Sequence, residues 1–168
     1  RRTLALAAIV AVVAVGVILR VAVRSDLWLD EALTVNIARV PLGDLRAALR
    51  VDGAPPLYYL LLHGWMAVFG ESDAAVRALP ALLGVVAMPL AYLAGRRIGG
   101  TDSTEAHRIG LIALVLMAAS PYAIRYSSEN RMYILVIDLV LLGYLALHRA
   151  LDRPTLGRLA GVAAVVGA

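Results

Sequence analysis

Leu57-Tyr58-Tyr59-Leu60-Leu61-Leu62-His63-Gly64-Trp65-Met66-Ala67-Val68-Phe69 is an apolar run whose placement decides the topology of the whole chain. It follows Pro55-Pro56 and stops at Gly70-Glu71-Ser72-Asp73. A bilayer crossing takes about 20 apolar residues, whereas runs of roughly 10–14 lie at the interface or turn back. This run belongs to the second class by length. On either side of it stand longer ones. Residues 4–23 follow Arg1-Arg2 almost without interruption and read as a first transmembrane helix. The alternative, a cleaved signal peptide, has a shorter apolar region and is not followed by further spans. Residues 78–95, 109–122 and 132–148 are long enough to cross, and 159–168 begin a further, incomplete span.

The distribution of arginine tests where the short run lies. If 57–69 crossed, Arg96, Arg97 and Arg108 would fall outside and the turn around Arg131 inside. If it lies along the surface, Arg1-Arg2, Arg96-Arg97-Arg108 and Arg149-Arg153-Arg158 all fall on the cytoplasmic side, as the positive-inside rule requires. The second arrangement gives five spans, the last incomplete. It places the loop 24–77, where acidic residues outnumber arginines, and the turn Ser127-Ser128-Glu129-Asn130-Arg131 on one outer face. Within that loop Asp30 is expected to cap a short helix reaching Ile37 to Arg39 and ended by Pro41. Asp44 is expected to cap another over 45–50, and Asp52-Gly53-Ala54-Pro55-Pro56 is turn chemistry. The fold class is therefore an all-α polytopic membrane bundle with short interfacial helices in its first outer loop.

Composition agrees with this. Hydrophobic residues make up 61% of 168 and the mean hydropathy is +0.81, well above the roughly 45–50% apolar content of soluble domains. Cysteine is absent, which excludes disulfides, thiolate nucleophiles and thiolate metal sites. All 16 basic residues are arginine. A GC-rich genome explains that choice, and so does a need for bidentate phosphate binding. The charge of +4 without a compact basic stripe favours membrane lipids as partners and excludes nucleic acid.

Candidate chemistry collects on the outer face. Asp30 and Glu31 are adjacent, so on a helix their side chains diverge by about 100°; one is expected to act and the other to orient. The alternative, two first-turn acids stabilised by the helix dipole, fits the spacing equally well. Tyr126, Glu129 or Asn130, and Tyr133 recur at helical spacing near the fourth span, with Arg125 and Arg131 beside them. They suit a sugar phosphate, or equally an interfacial aromatic belt. Arg77 opens its span on the outer side, where the rule does not call for a cation, so a carboxylate or phosphate partner is expected. Arg20 is expected to snorkel to the interface. Asp138, about two turns into its helix, is expected to be neutral or paired. His63 reads as a surface polar group.

The order of motifs is informative as a set. Trp28-Leu29-Asp30-Glu31, Ala54-Pro55-Pro56-Leu57-Tyr58-Tyr59, Phe69-Gly70-Glu71 and Arg77-Ala78-Leu79-Pro80-Ala81-Leu82-Leu83-Gly84 resemble the amino-terminal part of GT-C glycosyltransferases. In pattern they are similar to protein O-mannosyltransferases and lipid A aminoarabinose transferases. Ser120-Pro121 and Tyr126-Ser127-Ser128-Glu129-Asn130-Arg131-Met132-Tyr133 resemble the second outer loop of bacterial members.

The resemblance implies transfer of a sugar, mannose by first guess, from a polyprenyl-phosphate donor to a lipid, glycan or protein acceptor. It implies a multi-pass protein of the bacterial cytoplasmic membrane, with the site facing outside and inversion at the anomeric carbon. Asp30 then matches the base, Glu31 its supporting neighbour in the catalytic pair, and Arg77 the arginine near them. Tyr126, Glu129, Arg131 and Tyr133 fall in the donor-binding region. Gly53-Ala54 lacks the charged pair of the aminoarabinose transferases, so that sugar is not carried over. A chain ending within a fifth span is expected to be part of a longer one. No cofactor is expected to be required; Asp30 with Glu129 is the pair that would share a divalent metal. The competing readings are a non-catalytic polytopic protein that binds or translocates lipid-linked sugars, and a structural membrane scaffold.

Overall fold

The computed structural model describes residues 2–22 and 25–167, apart from the side chains of residues 51 and 52. Arg1, Val23, Arg24 and Ala168, which bound the first and last expected spans, and the Asp52 side chain of the expected turn lie outside the described residues. The described chain is helical throughout: α1 (Arg2–Val21), α2 (Leu29–Arg39), α3 (Leu42–Asp52), α4 (Pro56–Phe69), α5 (Asp73–Ile98), α6 (Ser103–Ala119), α7 (Pro121–Ser128), α8 (Tyr133–Asp152) and α9 (Leu156–Val166). By length and composition α1, α5 and α8 can each cross a membrane, and α6 with α7 makes a fourth, bent span. Leu4, Leu6, Val10, Val15 and Ile18 stand exposed along α1. An apolar surface of that extent is unsuited to water and suited to lipid.

The long central helix α5 packs against α1, α4, α6, α7 and α8. It begins at Asp73, a full turn earlier than the apolar run itself, because Ser72 caps it by accepting from the Ala75 N–H at 3.3 Å. Its start lies beside the end of α1, since Arg77 donates to the carbonyls of Ser25 and, at 3.0 Å, Asp26. A crossing α4 would have put these two ends on opposite sides of the bundle. Arg97 and Asp152 meet at 2.7 Å at the other end, which groups Arg96, Arg97, Arg149 and Arg153 there.

The segment between α1 and α5 is a packed cap. Val35, Ile37 and Ala38 of α2, Leu45 and Leu49 of α3, and Tyr58, Tyr59, Leu62 and Met66 of α4 form one core with Val76, Leu79 and Leu135 of the bundle. His63 donates through Nδ1 to the Ala38 carbonyl at 2.8 Å, so it fastens the end of α2 instead of standing at the surface. Both expected caps shift. Helix α2 starts at Leu29 with Trp28 as its N-cap, because Glu31 at the third helical position accepts from the Trp28 N–H at 3.3 Å. Helix α3 starts after Pro41, whose ring presets the entry, leaving Asp44 inside the first turn. It ends at Gly53, whose φ of 73° needs a residue without Cβ strain.

The expected straight span over 109–122 is broken at Ser120-Pro121, where α6 and α7 meet at 54°. Pro121 has no N–H to give the carbonyl four residues back, that of Met117. Arg20 supplies the missing donors: Nη2 to Met117 O at 2.8 Å and Nη1 to Ala118 O at 3.1 Å. This overturns the snorkelling expectation: Arg20 is only 1% exposed, its guanidinium held by the carbonyls of Gly16, Met117 and Ala118. Gly16, one turn earlier on α1, permits the approach, since a Cβ there would lie 2.6 Å from Ala118 O. Arg20→Met is therefore expected to destabilise the bundle by about 1–3 kcal/mol for each carbonyl left without a donor. Thermal unfolding in detergent checks this, and Arg20→Lys should recover part of the loss.

Candidate active site

At the cap end of the bundle the carboxylate of Glu31 is fully buried. Its Oε1 accepts from Arg77 Nε at 2.9 Å and from the Asn130 backbone N–H at 2.8 Å. Its Oε2 accepts from Arg77 Nη2 at 2.5 Å, besides the Trp28 N–H. One side chain thus ties together α2, α5 and the turn between α7 and α8. Burial by itself would push this carboxyl up; the hydrogen bonds from Arg77 and Asn130 and the Arg77 charge outweigh it and hold Glu31 below the usual carboxylate range. Glu31 is therefore an ionised, saturated fastening.

Asp30 is its opposite. It sits half-buried in the first turn of α2, and among the described residues its carboxylate accepts no hydrogen bond. Its main-chain carbonyl accepts from the Thr34 hydroxyl at 2.8 Å and from Arg131 Nη1 at 3.3 Å. Arg131 also donates from Nη1 to Thr34 Oγ1 at 3.0 Å and lies 5.8 Å over the Tyr133 ring. Its Nε is buried without an acceptor among the described residues. A carboxylate without a partner among the described residues and a guanidinium whose Nε has none there thus stand over the same turn of α2.

Of the other expected residues, Tyr126 and Tyr133 do come together, with ring centres 4.9 Å apart. They do so across a break, because α7 ends at Ser128 and α8 begins at Tyr133; the expected single helical stripe is two helices. Glu129 pairs with Arg125 at 2.8 Å. Asp138 is buried, with neither carboxylate oxygen partnered among the described residues. Among the described residues no three histidine or acidic side chains gather as metal ligands. Glu31 is paired with Arg77, and Glu129, the expected metal-sharing partner of Asp30, with Arg125.

One residue of the site, Tyr58, escaped the sequence reading as a functional candidate, and another, Asn130, entered it only as an alternative to Glu129. Tyr58, buried in α4, donates to Asn130 Oδ1 at 2.7 Å. Burial and the nearby Glu31 charge push its phenol up, so it remains a donor. Asn130 is fully buried, and its Nδ2 has no acceptor among the described residues. The motif Pro55-Pro56-Leu57-Tyr58 contained the first signal, but no spacing rule links positions 72 apart. Tyr58→Phe leaves Asn130 Oδ1 buried without a donor and is expected to cost about 1–3 kcal/mol, read as a lower unfolding midpoint with unchanged helicity.

A buried carboxylate–arginine tie next to a carboxylate without a partner among the described residues, at one end of a bundle of apolar membrane-crossing helices, defines a polytopic membrane protein with a polar cluster at one end. The sequence profile of the dolichyl-phosphate-mannose-protein mannosyltransferases matches residues 53–168, more than half of the chain, and the chain belongs to that family of membrane glycosyltransferases. The match takes in Tyr58, Arg77, Asn130 and Arg131, while Asp30 and Glu31 precede it. No curated protein and no solved structure matches the chain significantly.

Proposed function

We propose that the chain carries the base and the cations of a site that transfers a sugar, mannose as first candidate, from a polyprenyl-phosphate donor to an acceptor hydroxyl. The observation that carries this reading is the contrast within one acidic pair: Glu31 locked by Arg77 and Asn130, and Asp30, beside Arg131, with no side-chain partner among the described residues. Asp30 takes the proton of the acceptor hydroxyl as its oxygen attacks the anomeric carbon from the face opposite the phosphate, which inverts that centre. The bond between that carbon and the phosphate oxygen breaks, and the lipid phosphate departs with the electron pair. A phosphate is a competent leaving group, so charge neutralisation by Arg131 suffices without a separate acid. Tyr126 and Tyr133 offer ring faces to the sugar, and Glu129 borders them. In this reading the site faces the outside of a bacterial cytoplasmic membrane, and the arginines at the far end of the bundle support that orientation. The acceptor is a lipid, glycan or protein.

The test is incubation of the purified protein with polyprenyl-phosphate mannose and acceptor-bearing membrane extract, following both lipid phosphate release and sugar incorporation. Coupled release and incorporation support the reading. Donor binding without either favours the alternative, a non-catalytic binder or translocator of lipid-linked sugars.

A further inference from the structure

Several arginines in this fold meet carboxylates: Arg39 meets Glu71 at 2.6 Å, Arg77 meets Glu31, Arg97 meets Asp152 and Arg125 meets Glu129. Among the described residues Arg46 and Arg50 of α3 do not, and neither do Arg149 and Arg153 at the opposite end; what sets the α3 pair apart is the groove beside it. Arg46 and Arg50 are both exposed, and among the described residues neither guanidinium has a hydrogen-bond or ion-pair partner. They stand four residues apart on one helix, hence on one face, where like charges repel. Two cations held together in this way, on a helix of only 11 residues, suit an anion that bridges them.

What lies beside them specifies the anion further. Arg46 and Arg50 border a groove of about 510 Å³ between α3 and α4, whose remaining lining includes Leu42, Leu45, Leu49, Pro56 and Leu60. The groove is apolar apart from the two guanidiniums. Leu60 on its wall is 46% exposed, and α4 carries two further exposed apolar side chains, Leu61 and Val68. A free phosphate would use the arginines and leave the groove empty; an apolar peptide would use the groove and leave the charges unpaired. An amphiphile with an anionic head uses both. The cap lies at the end of a membrane bundle, so such amphiphiles surround it.

We propose that the α3–α4 groove seats an anionic phospholipid of the surrounding membrane, its phosphate bridged by Arg46 and Arg50 and one acyl chain lying along Leu42, Leu49 and Leu60. The bound lipid cancels the repulsion between the arginines and fixes the depth at which the cap meets the bilayer. This seat is separate from the Asp30 site and does not depend on the transfer reaction.

Native mass spectrometry of the detergent-solubilised protein, titrated with phosphatidylglycerol and with phosphatidylcholine of the same acyl chains, tests it. The protein should prefer phosphatidylglycerol, and Arg46→Gln/Arg50→Gln should lower that preference by roughly tenfold or more, since each arginine near an anionic lipid contributes on the order of a factor of five. Arg108→Gln/Arg153→Gln removes the same charge at the opposite end and should leave the preference intact, with helicity the same in both variants. Equal preference in the protein and the Arg46/Arg50 variant overturns the proposal. So does an equal loss in the two double variants, which would mean net charge alone. Displacement of phosphatidylglycerol by inorganic phosphate at similar concentration overturns the lipid assignment, and displacement by far lower polyprenyl phosphate reassigns the groove to the donor.

Discussion

Asp30→Asn is expected to lower the rate of sugar transfer by roughly 10²–10⁴-fold, the usual contribution of a positioned general base. The substitution is nearly isosteric and removes only the ability to accept a proton. Nothing structural should follow, because the Asp30 carboxylate holds no other described group in place; the contacts that anchor this turn run through its main-chain carbonyl, to Thr34 and Arg131. The loss should therefore fall on kcat, with donor affinity and unfolding midpoint close to those of the unaltered protein. Initial rates at saturating donor, together with donor binding, separate the two effects. Near-normal turnover in Asp30→Asn would remove the base assignment. A matching loss of donor binding would make Asp30 a ligand of the donor instead.

Much of this arrangement was legible because it rests on one-dimensional signals. Apolar run length separated α4 from the crossing helices, and arginine placement put the ends of α1 and α5 together, which is what lets Glu31 and Arg77 meet. The contacts that escaped are those in which main-chain groups take part. Arg20 reads as an interfacial cation until the bend at Pro121 leaves the Met117 carbonyl without its donor. The Asn130 backbone N–H that closes on Glu31 is invisible to a reading in side-chain types. The aromatic stripe failed for a related reason: helical spacing across 126–133 presupposes a continuous helix, and residues 129–132 do not continue one.

Arg77→Ala is expected to destabilise the protein by about 3–5 kcal/mol, because it strips a buried carboxylate of its countercharge while leaving the carboxylate inside. Glu31 is fully buried and the Arg77 side chain is 10% exposed, so solvent screens the pair little. The damage should spread beyond the pair, since the same guanidinium holds the carbonyls of Ser25 and Asp26. Glu31→Gln is the milder variant; it keeps the shape, loses the charge and leaves Arg77 with its two carbonyl contacts. Acidity probes the same tie from the other side. The folded-state carboxyl of Glu31 lies below its unfolded value, so its stabilisation is complete above the ordinary glutamate range of about 4.3. It is lost only as the pH falls through the depressed folded value. Between pH 5 and 8 this tie should contribute a constant amount, and the difference in unfolding free energy between the protein and Glu31→Gln should be flat there. It should shrink only in more acidic solution; a difference that shrank on the alkaline side would mean that the carboxylate is not the charged member holding α2 to α5.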